Sequence, residues 1–247
     1  MCSKKRGQIS LFMIIGIILL LVISVTMYIL QSVNNINTNN YKDTPQNVRE
    51  YVEQCTEQLT YEAAYYVALN GGYYALPDYF DFNGYKVVYY YGGGIPARDE
   101  IASNMAAYIT DRIPLCVNHF NNYKQKGMDI TEETPKTRVT IFDNYILAEF
   151  EYPIIVKQGK QVLELKEFPS VRVPVRLGLL HNASVQVTDL FVQDPTILQI
   201  SKIDDIAQAL GVTIYYDWVG DRLAFVIYDP TSSIKGRYEY VFGAKFS

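Results

Sequence analysis

Two cysteines, Cys55 and Cys116, carry the clearest chemistry in this sequence. Each lies on the apolar face of a predicted helix, so packing the two faces together would bring the thiols within reach of a disulfide. A bridge would close a loop of about 60 residues and contribute roughly 4 kcal/mol on the chain-entropy model. The N-terminal charges described below predict that both residues lie outside the cytoplasm, where a disulfide can persist. Two unpaired buried thiols are the alternative.

The other chemistry-bearing residues do not form a recognisable catalytic or metal pattern. His119 and His181 are the only histidines, neither has a partner at zinc-ligand spacing, and we expect both on the surface or on a helix face. Gly92-Gly93-Gly94 lacks the Lys and the Ser or Thr of a phosphate loop. Asp81-Phe82-Asn83-Gly84 lacks the leading acid and the closing Glu of a calcium loop. We therefore predict no catalytic residues, no metal site, no cofactor and no enzymatic activity.

Surface chemistry is indicated by the tyrosines and by one sequon. The chain has 22 tyrosines, and we predict a contact surface, with the filling of strands as the alternative, at Tyr73, Tyr74, Tyr89, Tyr90 and Tyr91. Asn182-Ala183-Ser184 makes Asn182 a candidate glycosylation site. The formal net charge is -4, or about -7 once the three N-terminal cations are set aside. Such an acidic balance argues against nucleic acid as a partner.

A membrane segment must position this domain. Residues 1–7 form a basic stub that contains Lys4, Lys5 and Arg6, and an uncharged apolar run follows from Ile9 to Leu30, interrupted by Gly16 and a few hydroxyl residues. As a helix the run is about 33 Å long, which matches a bilayer core of about 30 Å. The flanking cations predict a cytoplasmic N-terminus and an external C-terminal part. Residues 8–31 are thus a predicted membrane helix and residues 32–44 a polar spacer, with a cleaved signal peptide as the competing interpretation.

The junction Gly7-Gln8-Ile9-Ser10 resembles the class III leader of archaeal type IV pilins, which is cut after the Gly. The resemblance implies a cleavage between Gly7 and Gln8 and a helix that assembles into a filament. That family has Glu at the fifth mature position, where this chain has Phe12. The order of segments also resembles single-anchor surface proteins of small-genome archaea, for which it implies no known activity.

Helical patterns dominate the first part of the external domain. Thr44-Pro45 supplies an N-cap and a first-turn proline, and Asn70-Gly71-Gly72 ends a run of apolar residues at helical spacing. A second helix is predicted to open at Pro96 and to present one apolar face as far as Phe120, with a kink at Pro114. Asn83-Gly84 between two short apolar runs predicts a hairpin.

The periodicity changes to two after residue 136. Strands are predicted over 138–142, 145–156, 161–167, 171–177, 212–216, 223–228 and 237–246, and shorter helices over 179–191 and 201–210. Pro174 would confine its strand to an edge. The expected fold class is α+β, with two long helices packed on antiparallel sheet and one extracytoplasmic domain over 45–247. A division near residue 130 is left open.

These patterns favour a membrane-anchored cell-surface structural protein that is pilin-like and assembles through its N-terminal helix. The expected partners are membrane lipid and further copies of the chain. The alternative is a non-assembling single-pass receptor or adhesin, whose Tyr-rich domain binds another surface protein or a glycan. An anchored enzyme is a third hypothesis. The expected location is the cell membrane with an extracellular domain, or an extracellular filament after leader cleavage.

Overall fold

The computed structural model describes residues 44–232 and 236–246. The α-helices of this part are α1 (Pro45–Leu69), α2 (Arg98–Cys116), α3 (Asn121–Lys124), α4 (Leu177–Gln193) and α5 (Ile200–Leu210). The strands are β1 (Tyr79–Phe82), β2 (Tyr85–Tyr91), β3 (Asp129–Glu132), β4 (Lys136–Ile141), β5 (Ile146–Gln158), β6 (Gln161–Val173), β7 (Thr213–Val219), β8 (Arg222–Asp229) and β9 (Tyr238–Lys245). The α+β class is confirmed.

The predicted leader and membrane helix, including Gly7, Gln8, Ile9, Phe12 and Gly16, lie outside the described residues. Leu30 and the spacer up to residue 43 lie outside them too. Of the helices that the structure describes, none combines the length and the apolar character needed to cross a membrane.

Helix α1 begins and ends where its sequence predicts. Thr44 is the extended N-cap, its backbone N–H donates to the side-chain oxygen of Asn47 at 3.2 Å, and Pro45 takes the first helical position. The helix ends because Gly71 and Gly72 have φ of 58° and 87°, which glycine adopts without strain. The side chains between these ends face the core at helical spacing, so α1 is buried along its length.

Helix α2 is shorter than predicted. It ends at Cys116, two residues after Pro114, and the chain then passes through Asn118, His119 and Phe120 with positive φ at all three. Three consecutive non-glycine residues in the left-handed region are costly and reverse the chain direction. The predicted apolar face through Phe120 is therefore wrong as a helix face, although Phe120 itself is buried.

Two sheets flank the helices. Sheet A has the strand order β1-β2-β9-β8-β7, and sheet B has β5 at its centre, with β3 and β4 along one edge and β6 along the other. Sheet B is antiparallel throughout, as predicted, whereas β2 pairs with β9 in parallel. Because β1 and β2 join β9 in one sheet, a boundary near residue 130 would cut sheet A, and the described residues from 44 onward form one unit.

Two prolines sit at irregularities of the β5–β6 hairpin. Pro169 and Ser170 of β6 lie opposite the single residue Glu149, and Pro153 of β5 lies in a second register shift. A bulge tolerates proline because the ladder is already interrupted there, and this holds for Pro169 on the edge strand β6 and for Pro153 on the central strand β5. The separate strand predicted over 171–177 is instead the end of a continuous β6, and Pro174 lies just beyond it.

The main core lies between the helices and the inner faces of the two sheets. Tyr238 of sheet A donates to the carbonyl of Ala64 near the C-terminal end of α1 at 3.2 Å, while Arg49 at the other end of α1 lies over the ring of Phe168 of sheet B. A second, smaller cluster lies on the outer face of sheet A and contains Phe80. The outer face of sheet A is therefore partly covered by its own hairpin.

Candidate functional site

An aromatic groove of 370 Å³ runs along the outer face of sheet A. We call it the tyrosine groove, and its lining residues are Phe82, Asn83, Tyr85, Tyr215, Tyr216, Asp217, Ala224, Val226, Arg237 and Glu239. The floor comes from β8, one wall from β7 and the other from the β1–β2 hairpin. Two parts of the chain that are far apart in sequence, the β1–β2 hairpin and the C-terminal strands, thus meet at one surface.

The hairpin wall exists because Gly243 leaves room for it. A Cβ at Gly243 would lie 2.8 Å from side-chain carbons of both Phe80 and Val87, closer than atoms can approach. With glycine there, the β1–β2 hairpin leans over the outer face of β9, and β2 pairs with β9 only at its C-terminal end, Tyr89 and Tyr91. The Asn83-Gly84 turn, with φ of 46° and 88°, closes the hairpin as predicted.

One end of the groove is closed by a charged and aromatic group. Arg237 pairs with Glu239, and Glu239 also accepts a hydrogen bond from the Tyr85 hydroxyl at 2.8 Å. This bond to a carboxylate, together with burial, raises the pKa of Tyr85. The Arg237 guanidinium carbon lies 4.5 Å from the ring centre of Tyr228 and 5.2 Å from that of Tyr215. Arg237 is therefore held in one orientation by two rings and a carboxylate.

Beside this charged group the groove is open to solvent. Tyr215 is 48% exposed, and its neighbours Asp217 and Asn83 are also exposed. The pair Tyr215 and Tyr216 divides between the two faces of β7, because successive strand residues point to opposite sides. Tyr216 packs near Phe225 in the main core. The groove therefore offers one accessible aromatic ring beside exposed polar side chains.

The predicted tyrosine surface is only partly a surface. Tyr89 and Tyr90 are 5% and 3% exposed, so their assignment to a contact surface is wrong. Tyr90 donates to the carbonyl of Gly71 at 3.0 Å and contacts the Tyr240 hydroxyl at 2.6 Å, while Tyr89 stacks on Phe80. The reason is that the β2–β9 pairing makes β2 an interior strand of sheet A, covered on both faces.

The other three predicted tyrosines are half-buried. Tyr73 donates to the carbonyl of Gly94 at 3.1 Å, and Tyr91 packs against Phe246. Tyr74 belongs to a ring cluster that Arg112 covers, with the guanidinium carbon 3.8 Å from the ring centre of Tyr108. These tyrosines have intramolecular partners and do not line the tyrosine groove. The sequence could have indicated Tyr215 instead, because Tyr215 and Tyr216 are consecutive in a predicted strand and one of the two must point away from the core.

The disulfide between Cys55 and Cys116 is confirmed. The two Cα atoms are 5.9 Å apart, and the bridge joins the middle of α1 to the last residue of α2. Tyr51 donates to the carbonyl of Cys116 at 3.0 Å and so satisfies one of the orphan carbonyls at the end of α2. The bridge therefore attaches α1 to the end of α2, immediately before the chain reverses direction.

The two histidines have different environments. His119 is exposed, as expected, and its Nδ1 lies 3.2 Å from Glu132, whose other oxygen accepts from the buried Tyr152 hydroxyl. His181 is buried on a helix and its Nε2 donates to the carbonyl of Pro96 at 2.9 Å, so of the two expected positions it takes the helix face and not the surface. It lies on α4, where its side chain meets the loop that precedes α2.

The predicted sequon lies on α4. Asn182 is exposed, whereas Ser184 is completely buried and donates to the carbonyl of His181 at 2.6 Å. The structure therefore leaves the acceptor amide accessible but holds the sequon hydroxyl inside the domain. Glycosylation of Asn182 stays a prediction.

The side chains of the groove that could take part in chemistry are carboxylates, phenols and one guanidinium. Its described lining contains no serine, cysteine or histidine, and no group of three or more His, Cys, Asp or Glu residues in the described part of the chain is placed to hold a metal ion. No protein-family model, curated protein or solved structure matches this chain. Exposed rings beside hydrogen-bonding groups are suited to non-covalent recognition.

Proposed function

We propose that this chain is a membrane-anchored cell-surface protein that acts as a receptor or adhesin through its external domain. The observation that carries the proposal is the tyrosine groove, a solvent-open surface of rings and polar groups on the outer face of sheet A. Such sites bind through a few placed polar groups and apolar contact area. The predicted anchor, residues 8–31, would hold this surface at the membrane.

Sheet A contacts α1 at the end that lies farther along the chain from the predicted anchor. Thr44, to which the N-terminal segment is attached, lies at the first end of α1, whereas sheet A contacts Ala64 and Gly71 at the other end. A helix of 25 residues is about 37 Å long. Sheet A thus packs against the end of α1 opposite Thr44.

The disulfide supports an external location. A bridge between Cys55 and Cys116 would be reduced in most cytoplasms but persists outside the cell. It also ties α1, the element that leads to the anchor, to the rest of the domain. Tension on the anchored end is then resisted by a covalent bond.

The exposed face of α1 is suited to contact with solvent and not to packing against α1 helices of other copies in a filament. Its exposed residues are polar or acidic, namely Gln46, Glu50, Gln54, Glu57, Gln58 and Glu62. An apolar stripe is what one helix buries against another, and like charges along a shared face repel. Assembly through residues 8–31, as the pilin resemblance implies, stays a prediction.

Labelling of Cys2 tests this proposal. Cys2 is the one cysteine outside the disulfide, so a membrane-impermeant maleimide should label the chain only after cells are permeabilised. Ser201→Cys places a thiol on the exposed side of α5 and should be labelled on intact cells. Cys2→Ala should leave the otherwise native chain unlabelled in both cases.

Three outcomes would contradict the proposal. Labelling of Cys2 on intact cells would show the opposite orientation, and failure of Ser201→Cys to label there would show an internal domain. Loss of Cys2 labelling after permeabilisation, with a mature N-terminus at Gln8 and the chain recovered in sedimentable fibres, would favour the pilin-like filament instead. An intact Met1 in a discrete, non-fibrous species supports the receptor or adhesin.

A further inference from the structure

We infer that the tyrosine groove binds a neutral carbohydrate chain. The inference rests on the proposed function and names the class of ligand for the same site. A pyranose ring has apolar C–H faces and a rim of hydroxyl groups, each of which can both donate and accept a hydrogen bond. A complementary site needs a flat aromatic surface together with donors and acceptors around it.

The groove supplies the flat surface at Tyr215. This ring is 48% exposed and lies on the β7 wall, while Arg237 lies 5.2 Å from its centre. Aromatic side chains offer large contact area with little rotamer entropy to lose. The floor residues Ala224 and Val226 are short, so a ring stacked on Tyr215 can lie between the β7 wall and the hairpin.

The polar groups around this ring include both hydrogen-bond donors and acceptors. Arg237 donates, Asp217 and Glu239 accept, and the side-chain amide of Asn83 does both. The pairing of Arg237 with Glu239, and of Glu239 with the Tyr85 hydroxyl, holds this end of the groove in place before any ligand arrives. Preorganisation of this kind reduces the entropy lost on binding.

The charges favour a neutral sugar over an anionic one. Glu239 neutralises Arg237, and Asp217 is exposed on the β7 wall, so the lining has an excess of one negative charge. An acidic sugar would bring like charge against Asp217. An extended peptide would instead pair with the outer edge of β7, whose only partner among the described strands is β8, and would not need the groove floor.

Isothermal titration of the full chain in phosphatidylcholine nanodiscs tests the inference, because many detergents carry sugar headgroups. The neutral probes are cellohexaose, maltohexaose and chitohexaose, the anionic probe is 3′-sialyllactose, and the peptide probe is a decapeptide of alternating Thr and Val. At least one neutral oligosaccharide should bind. Tyr215→Ala should weaken that binding about fivefold, because a stacked ring contributes about 1 kcal/mol.

Two further variants locate the binding. Ala224→Leu fills the floor without removing a polar group and should abolish binding. Trp218→Ala is the matched control, because Trp218 is 50% exposed on the same strand but packs against Phe246 on the side of the main core, and it should leave affinity unchanged. Circular dichroism establishes that each variant is folded. Tyr215→Ala removes an exposed ring and tests the site even where Ala224→Leu fails to fold.

Several results would overturn the carbohydrate assignment. They are the binding of no neutral oligosaccharide, binding that Tyr215→Ala does not weaken, and binding of only the sialylated or only the peptide probe. None of these results bears on the proposed surface location, because the Cys2 labelling tests that location separately. Failure of the labelling test with intact sugar binding would instead remove the anchored-receptor proposal alone.

Discussion

The pairing of Arg176 with Asp229 is expected to stabilise the domain by an amount that depends on pH. Arg176 donates from Nε to both oxygens of Asp229 at 3.0 and 3.1 Å and from Nη2 to the carbonyl of Gly211 at 3.1 Å. Thr231 donates its backbone N–H to Asp229 at 3.0 Å, and the Ser232 hydroxyl donates to it as well. The pair therefore joins the end of α5, the start of α4 and the turn after β8.

The magnitude follows from the pKa of Asp229. Its side chain is fully buried, which by itself would raise the pKa of the carboxyl, but the hydrogen bonds from Arg176, Ser232 and Thr231 outweigh burial and lower the pKa from 3.8 to about 2. At 1.36 kcal/mol for each pH unit, this difference corresponds to about 2 kcal/mol. Because the folded pKa is the lower one, the stabilisation is present above about pH 4 and is lost as the pH falls toward 2.

The variant that tests this is Asp229→Asn, which keeps the shape but removes the charge. At pH 7 its free energy of unfolding should be lower than that of the native chain by about 2 to 5 kcal/mol, because the half-buried Arg176 loses its partner. The difference should become smaller as the pH falls toward 2, where about half of the native carboxyl groups are protonated. Urea unfolding of the full chain, followed by the fluorescence of Trp218, measures both values.

Asp205→Asn, an exposed change on α5, is the control and should alter the free energy of unfolding by less than about 0.5 kcal/mol. The reasoning is refuted if Asp229→Asn costs the same free energy at pH 7 and at pH 2.5. It is equally refuted if the variant is as stable as the native chain at pH 7.

Two other measurements check the disulfide and the buried histidine. Replacement of Cys55 and Cys116 by Ala should lower the free energy of unfolding, measured with urea, by about 4 kcal/mol. Dithiothreitol should lower the free energy of unfolding of the native chain by the same amount and should have no effect on the variant. Burial lowers the pKa of His181, and Arg98 adds to this effect against the opposing bond to Pro96, so the unfolded chain takes up a proton more readily than the folded one. The native chain should therefore lose stability as the pH falls from 7 to 5, and His181→Gln should show a smaller slope; equal slopes in the two proteins would contradict this assignment.

Local sequence signals were sufficient for most elements. Thr44-Pro45 and Gly71-Gly72 bound α1, Asn83-Gly84 closes the first hairpin, and Gly211 ends α5 with a φ of 61°. Each signal acts through the backbone of a few neighbouring residues, so it needs no knowledge of the rest of the chain. The disulfide was predictable for a related reason, because periodicity placed both cysteines on the buried faces of helices.

The signals failed where neighbours in space are distant in sequence. The end of α2 was misplaced because the reversal after Cys116 depends on left-handed residues that carry no glycine. The buried position of His181 depends on the carbonyl of Pro96, 85 residues earlier in the chain. The strand β3 and the continuity of β6 likewise depend on pairing with β5.

By itself, the sequence determined the helices, the turns, the cysteine pair and the N-terminal apolar segment, because periodicity, capping and composition are properties of neighbouring residues. Only the tertiary structure decided which tyrosines are accessible. The parallel pairing of β2 with β9 buries Tyr89 and Tyr90, and the space left by Gly243 lets the hairpin lean over sheet A. Tyr215, Arg237 and Glu239 meet for the same reason, since a groove between strands from opposite ends of the chain forms only when the sheet closes.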